Sequence, residues 1–169
     1  MEALSDVSPL FKKGNCLLSV FKLNAITIVD LEIEQVVWAL SGMWVRQHQP
    51  TLLPSGNMLV FDNQGWKGKT QVIEFDPFTQ RVAWAYRDSP ATPLYSELCG
   101  SCQRLPNGNT LITDSMNGRA FEVTPGGVTV WEYRSPHRAG EDDELVAVLF
   151  EVVRLSEEFP TDWLNKGAE

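Results

Sequence analysis

One pattern returns three times along this chain, and it limits what the chain can fold into. Each copy opens on a Gly-Asn turn, at Gly14-Asn15, Gly56-Asn57 and Gly108-Asn109, spaced by 42 and 52 residues. A short apolar run follows each turn, the cleanest being Met58-Leu59-Val60-Phe61 after Leu53-Pro54-Ser55. Gly tolerates positive φ and Pro presets φ, so such clusters make tight turns, and the run behind them reads as a buried strand. A second beat answers at residues 25–30, 71–77 and 119–125. A third beat ends in tryptophan, at Trp38, Trp84 and Trp131, spaced by 46 and 47.

The repeating unit is therefore four short strands joined by tight turns, with Asn117-Gly118 as a further turn signal. Short antiparallel strands repeating about every 40–45 residues are the signature of a β-propeller blade. The fold class expected is all-β: about three four-stranded blades and part of a fourth over residues 1–155, then a C-terminal tail over 156–169. The three repeated tryptophans read as blade packing. Residues 137–144 are polar and acidic and read as a solvated loop. Residues 145–155 are apolar, and their β-branched content favours a strand over a short helix. The chain is expected to fray beyond Trp163. Three blades are fewer than the ~4–8 of closed propellers, so this stretch reads as a piece of a larger ring. The other way to cover its two open edges is self-association.

Composition narrows the function classes. The formal net charge is −8, from 22 acids against 14 bases. That opposes non-specific nucleic-acid binding and attachment to an anionic membrane. No apolar run reaches the ~18–20 residues of a membrane span, and no basic-then-apolar leader opens the chain. As written it reads as cytoplasmic.

Three cysteines make an odd count, which excludes a complete disulfide framework. Cys99 and Cys102 form a CxxC, but they run into a strand and turn at Gln103-Arg104-Leu105-Pro106 rather than a helix, so a redox role is poor. Only Cys16, His48 and His137 remain as further soft ligands, without metal-site spacing. No metal is expected, and both CxxC cysteines read as buried strand packing. His137 reads as exposed.

Residues 46–63 stand apart. They carry Gln47-His48 ahead of the Gly-Asn turn and Phe61-Asp62-Asn63 behind it. Together with Gly14-Asn15-Cys16-Leu17-Leu18, Val72-Ile73-Glu74-Phe75-Asp76-Pro77, residues 103–112 and residues 118–125, this stretch resembles the arylsulfotransferase family. The resemblance covers nearly the whole chain. It implies a six-bladed propeller, of which this chain holds the C-terminal part, and an exported parent protein. It also implies transfer of a sulfuryl group from an aryl sulfate to a phenolic acceptor, with no metal or cofactor.

His48 matches the family's histidine in this motif. A neutral imidazole is a competent nucleophile, and a sulfo-histidine intermediate divides the transfer into two half reactions. Arg46, Arg104 and Asn63 are the candidates for contacting substrate, with Lys67 and Lys69 behind them. Asp62 could orient a donor, though an Asp-Asn pair more often caps a turn. The alternative from another class is a non-catalytic propeller scaffold, which fold alone does not separate from the enzyme. A quinoprotein-like, redox-cofactor propeller is a weaker third, since calcium-type acid clusters are missing.

Overall fold

The computed structural model describes residues 8–162. Strands β1 (Cys16–Val20), β2 (Ala25–Asp30) and β3 (Gln35–Ser41) form a three-stranded antiparallel sheet. Strands β4 (His48–Leu52), β5 (Met58–Trp66), β6 (Lys69–Phe75) and β7 (Val82–Arg87) form a four-stranded one. Strands β8 (Ser101–Arg104), β9 (Thr110–Asp114), β10 (Arg119–Val123) and β11 (Thr129–Arg134) form another. A small hairpin, β12 (Arg138–Ala139) with β13 (Leu145–Val146), completes the strands. In each sheet neighbours in sequence are neighbours in space, as a meander of tight turns dictates.

The second sheet shows why the strands read as fully apolar. Side chains alternate across a strand. Met58 and Val60 therefore enter one core with Phe11, Ile26, Ile28, Trp44, Ile73 and Phe75. Leu59 and Phe61 enter another with Val72, Tyr86, Leu94, Ile112 and Phe121. Sheet two is thus covered on both faces, and each such side chain contributes roughly 1.5–3 kcal/mol by burial.

The repeat is exact enough to place matching residues. The pairing of third and fourth strand shifts by one residue just after Ile28, Glu74 and Glu122 in the three units. At two of these positions the glutamate builds a lock between units. The turn asparagine donates to it, Asn57 Nδ2 to Glu74 at 2.7 Å and Asn109 Nδ2 to Glu122 at 2.6 Å. An arginine from the following unit takes the other oxygen, Arg104 on Glu74 at 2.8 Å and Arg154 on Glu122 at 2.6 Å. Those guanidiniums lie over Trp84 and Trp131, 5.0 and 5.8 Å from the ring centroids. The junction of units one and two has buried Ile28 at the glutamate position, with Leu52 packed against its cluster.

Several expectations are corrected. The first unit has three strands among the described residues, and the place of its inner strand falls on the segment before Gly14, where residues 9–11 form a 3-10 turn. The polar stretch 137–144 is partly a hairpin, turned by Gly140 and Asp143 at positive φ. Only Leu145–Val146 of residues 145–155 is strand. The rest runs extended and is held by side chains: Thr113 Oγ1 accepts from Val152 N, and Gln103 bonds both backbone groups of Arg154. It lies where the inner strand of a fourth unit would lie, with no second strand paired to it among the described residues. Trp38 and Trp84 are half-buried, but Trp131 is 42% exposed, with the Arg154 guanidinium 5.8 Å from its ring centroid and no further sheet packed on it among the described residues. The expectation of fraying beyond Trp163 lies outside the described residues.

Candidate active site at His48

The loop before β4 is pinned at each of residues 44–47. Trp44 is buried against Phe75, and its indole N–H donates to Asn24 O at 2.8 Å. Val45 N donates to Asp62 Oδ1 at 2.9 Å, and Arg46 N to Asn24 Oδ1 at 2.8 Å. Gln47, fully buried, donates to Ala25 O and Ser19 Oγ, while its own carbonyl accepts from Ser19 Oγ. This rigid approach delivers His48 to the start of the inner strand.

A bulge then fixes its direction. His48 pairs with Phe61 and Thr51 with Leu59, so Gln49 and Pro50 oppose a single residue. Gln49 has φ 45°, and Pro50 has no N–H to lose from the ladder. Bulges of this kind re-aim side chains and concentrate beside functional sites. Eight non-glycine residues among those described have positive φ, and four of them surround His48: Arg46, Gln49, Asn24 and Cys99. Clustered backbone strain of that kind marks functional sites. The third unit has Ser101 where the second has His48, since Ser101 pairs with Thr113 as His48 pairs with Phe61.

The imidazole is half-buried, its ring 5.6 Å from that of Phe21. Nδ1 lies 2.8 Å from Asn63 Oδ1 and 3.0 Å from Arg46 O. The Asn63 amide has one possible orientation, because its Nδ2 donates to Ser96 O and Cys99 O, both at 2.7 Å. Both neighbours of Nδ1 are therefore acceptors, and Nδ1 carries the proton. In the neutral ring the lone pair is then on Nε2.

The structure joins two of the three candidate binding residues to His48. Asn63 is fully buried and touches the imidazole directly. Arg46 reaches it through its carbonyl, while its guanidinium lies on the surface 3.4 Å from Glu97. Such an exposed pair is worth roughly 0–1 kcal/mol, so Arg46 is readily released to another anion. Arg104 lies elsewhere, committed to Glu74 and Trp84. Lys69 pairs with Asp88, and Lys67 lies over Trp66.

Asp62 is fully buried and braces the loop, accepting from Val45 N, Gly65 N and Gln71 Nε2. Burial holds its carboxyl above the ordinary carboxylate range. Cys102 sits buried in β8 as expected, its thiol pushed up by burial. Cys99 is half-buried and outside the strand, since φ 61° takes it out of the extended region. Both are free thiols. His137 is exposed.

Sequence reasoning missed Phe21, Lys22 and Asn24, which form the turn facing His48. Phe21 occupies the position in the first unit that Asn63 holds in the second, one residue beyond the paired inner region. The repeat could have flagged that correspondence. A separate cavity of about 700 Å3 lies across the loop carrying Tyr95 and Ser96, lined by Tyr95, Asp114, Arg119, Arg134 and Arg138 among others.

The sequence model of the arylsulfotransferase (ASST) family matches residues 3–136. The chain belongs to the arylsulfotransferase family. No curated protein matches it. Among solved structures, a protein of unknown function from Bacteroides caccae aligns at 15% identity and TM-score 0.43, covering 66% of this chain and 39% of its own. BamB from Moraxella catarrhalis aligns at 16% identity and TM-score 0.41, covering 73% of this chain and 36% of its own. The chain thus spans well under half the length of either protein.

Proposed function

We propose that His48 carries the sulfuryl group in an aryl sulfate to phenol transfer, on a chain that is part of a propeller. The observation that carries this reading is the pair of acceptors on Nδ1, which leaves the Nε2 lone pair for attack. In the first half reaction Nε2 bonds to sulfur, the bond from sulfur to the aryl oxygen breaks, and the phenolate leaves with that electron pair. In the second, the acceptor phenol's oxygen attacks the same sulfur. The N–S bond then breaks back to the imidazole, and the acceptor's proton passes to solvent.

Asn63 acts as a positioning residue in this reading. Its fully buried amide holds the ring and the tautomer and stabilises the imidazolium-like N-sulfo group through the Nδ1 proton. Arg46, two residues before His48, and Lys22, whose ammonium lies 5.7 Å from the Phe21 ring centroid, supply cations for the sulfuryl oxygens in this reading. Strain at Arg46 and Gln49, on either side of His48, supports a functional placement.

Phenolate release from a chromogenic aryl sulfate, with a phenol acceptor present, tests the proposal. The wild-type chain releases phenolate and forms the acceptor's sulfate ester, and His48→Ala abolishes both while remaining folded. Undiminished transfer by His48→Ala refutes it. A folded wild-type chain that releases nothing supports the scaffold reading instead.

A further inference from the structure

We propose that the cavity over the third unit binds an aromatic ring carrying one anionic group, of which an aryl carboxylate is the simplest form. The inference rests on the shape and charge of this cavity, not on the chemistry at His48, so loss of sulfuryl transfer leaves it standing.

The second unit shows what fills the matching space. Around it the two units correspond residue by residue. Asp62 pairs with Gln71 and Gln71 with Arg87, as Asp114 pairs with Arg119 and Arg119 with Arg134. The next residues agree too, since Asp88 N donates to Thr70 O and Ser135 N to Gly118 O. What differs is the connection between second and third strands. Eight residues lie between Asp62 and Gln71, but four between Asp114 and Arg119. The longer connection carries Trp66, whose ring centroid lies 4.2 Å from the Arg87 guanidinium. The shorter one brings no ring to Arg134 among the described residues, and Arg134 lines a cavity of about 700 Å3 instead. That volume suits a small ligand. A ring from outside the chain stacks on Arg134 there as Trp66 stacks on Arg87.

The charges of the lining select the group on that ring. Arg119, Arg134 and Arg138 border the cavity with Asp88, Asp114 and Glu144. Each acid already has a donor. Asp88 accepts from Lys69 Nζ at 2.8 Å and Leu94 N at 3.0 Å, Asp114 from Asn117 Nδ2 at 2.9 and 3.0 Å, and Glu144 from Asp142 N at 3.2 Å. Arg119 is buried and engaged by Pro93 O and Glu132. Arg134 shares Glu132 at 2.5 Å, yet its side chain is 60% exposed. Arg138 is exposed and has no partner among the described residues. Its guanidinium offers a fork of donors to a carboxylate. The site is separate from His48, because residues 93–99 run between them. Asn117 Nδ2 holds Tyr95 O at 2.8 Å on the cavity side, and Asn63 holds Ser96 O and Cys99 O on the other.

Calorimetric titration of the full chain with 2-naphthoate tests this. One molecule binds per chain. 2-Naphthol keeps the ring without the charge, cyclohexanecarboxylate keeps the charge without the ring, and each binds at least about tenfold more weakly. Arg138→Glu, at an exposed residue with no described partner to lose, weakens 2-naphthoate by about tenfold or more. Arg134→Leu, which removes the face for the ring, weakens it by about fivefold or more. Circular dichroism verifies that both variants fold. On the wild type, amide shifts caused by 2-naphthoate fall at residues 93–95, 114–119 and 138–148. No binding to the wild type, equal binding of either control compound, unchanged affinity in either variant, or shifts centred on residues 46–48 would each overturn the proposal.

Discussion

Replacing Asn63 by alanine separates the structural load on this residue from its effect on His48. Asn63 is fully buried and makes three side-chain hydrogen bonds. Ser96 O keeps a weaker contact from Thr70 Oγ1 at 3.4 Å, whereas Cys99 O loses its side-chain donor. At about 1 kcal/mol net for each of the bonds to His48 and Ser96, and about 1–3 kcal/mol for the Cys99 carbonyl left stranded, Asn63→Ala costs about 3–5 kcal/mol. That is a large share of the ~5–15 kcal/mol that holds a domain together, and urea unfolding reads it directly. The second consequence is at the ring. In the wild type the opposite tautomer would set the Nδ1 lone pair against two acceptors, costing about 2 kcal/mol or more, a ratio of about thirtyfold. Long-range 15N–1H spectra of the neutral ring then show Nδ1 protonated. In Asn63→Ala only Arg46 O remains, about 1 kcal/mol of the penalty goes with the lost acceptor, and the preference falls by about fivefold. A wild-type ring protonated on Nε2, or an Asn63→Ala cost within about 0.5 kcal/mol, the range of ordinary surface changes, would refute the reasoning.

The remaining predictions concern the frame around the site. Burial lifts Asp114 to about 6 from an ordinary 3.8, so the folded chain binds a proton there that the unfolded chain releases. Its contribution to stability is therefore highest at low pH and falls as pH rises between those values, by up to about 3 kcal/mol. Asp114→Asn should lose that slope in urea titrations at pH 4.5 and 7, and an unchanged difference between the two chains would contradict it. Arg104→Leu leaves Glu74 with only Asn57, costing about 2–4 kcal/mol. Adding Glu74→Ile copies the Ile28–Leu52 junction and should recover at least about 1 kcal/mol in a double-mutant cycle. Additive effects would deny the lock.

The repeat was legible because turns and strand alternation are local chemistry. Gly56-Asn57 and Gly108-Asn109 announce turns by conformational preference alone, and the Met58–Phe61 run announces a strand covered on both faces. The asparagine's second task, holding Glu74 or Glu122, was not legible, because it joins residues 17 and 13 apart across a sheet. Arg104 read as a possible anion ligand for the same reason: a cation's partner is set by packing between units. Trp131 shares its neighbours' sequence pattern but not their surroundings, so the pattern predicted burial where no further sheet packs among the described residues. At the site, His48 and Asn63 were both visible as motif residues. Their contact depends on the bulge at Gln49–Pro50, which rests on one backbone angle. Asn24 was invisible as a site residue because it comes from the turn of a different unit, whereas Phe21 was traceable only through its place in the repeat.

Mass analysis of the intact chain after mixing with an aryl sulfate, without acceptor, and mapping of any adduct by peptide fragmentation, tests the central claim most directly. The account predicts one SO3 group per active chain, on the His48 imidazole, appearing with one equivalent of phenolate and leaving when a phenol is added. An adduct on another residue, or phenolate release and acceptor sulfation with His48 never modified, would contradict it.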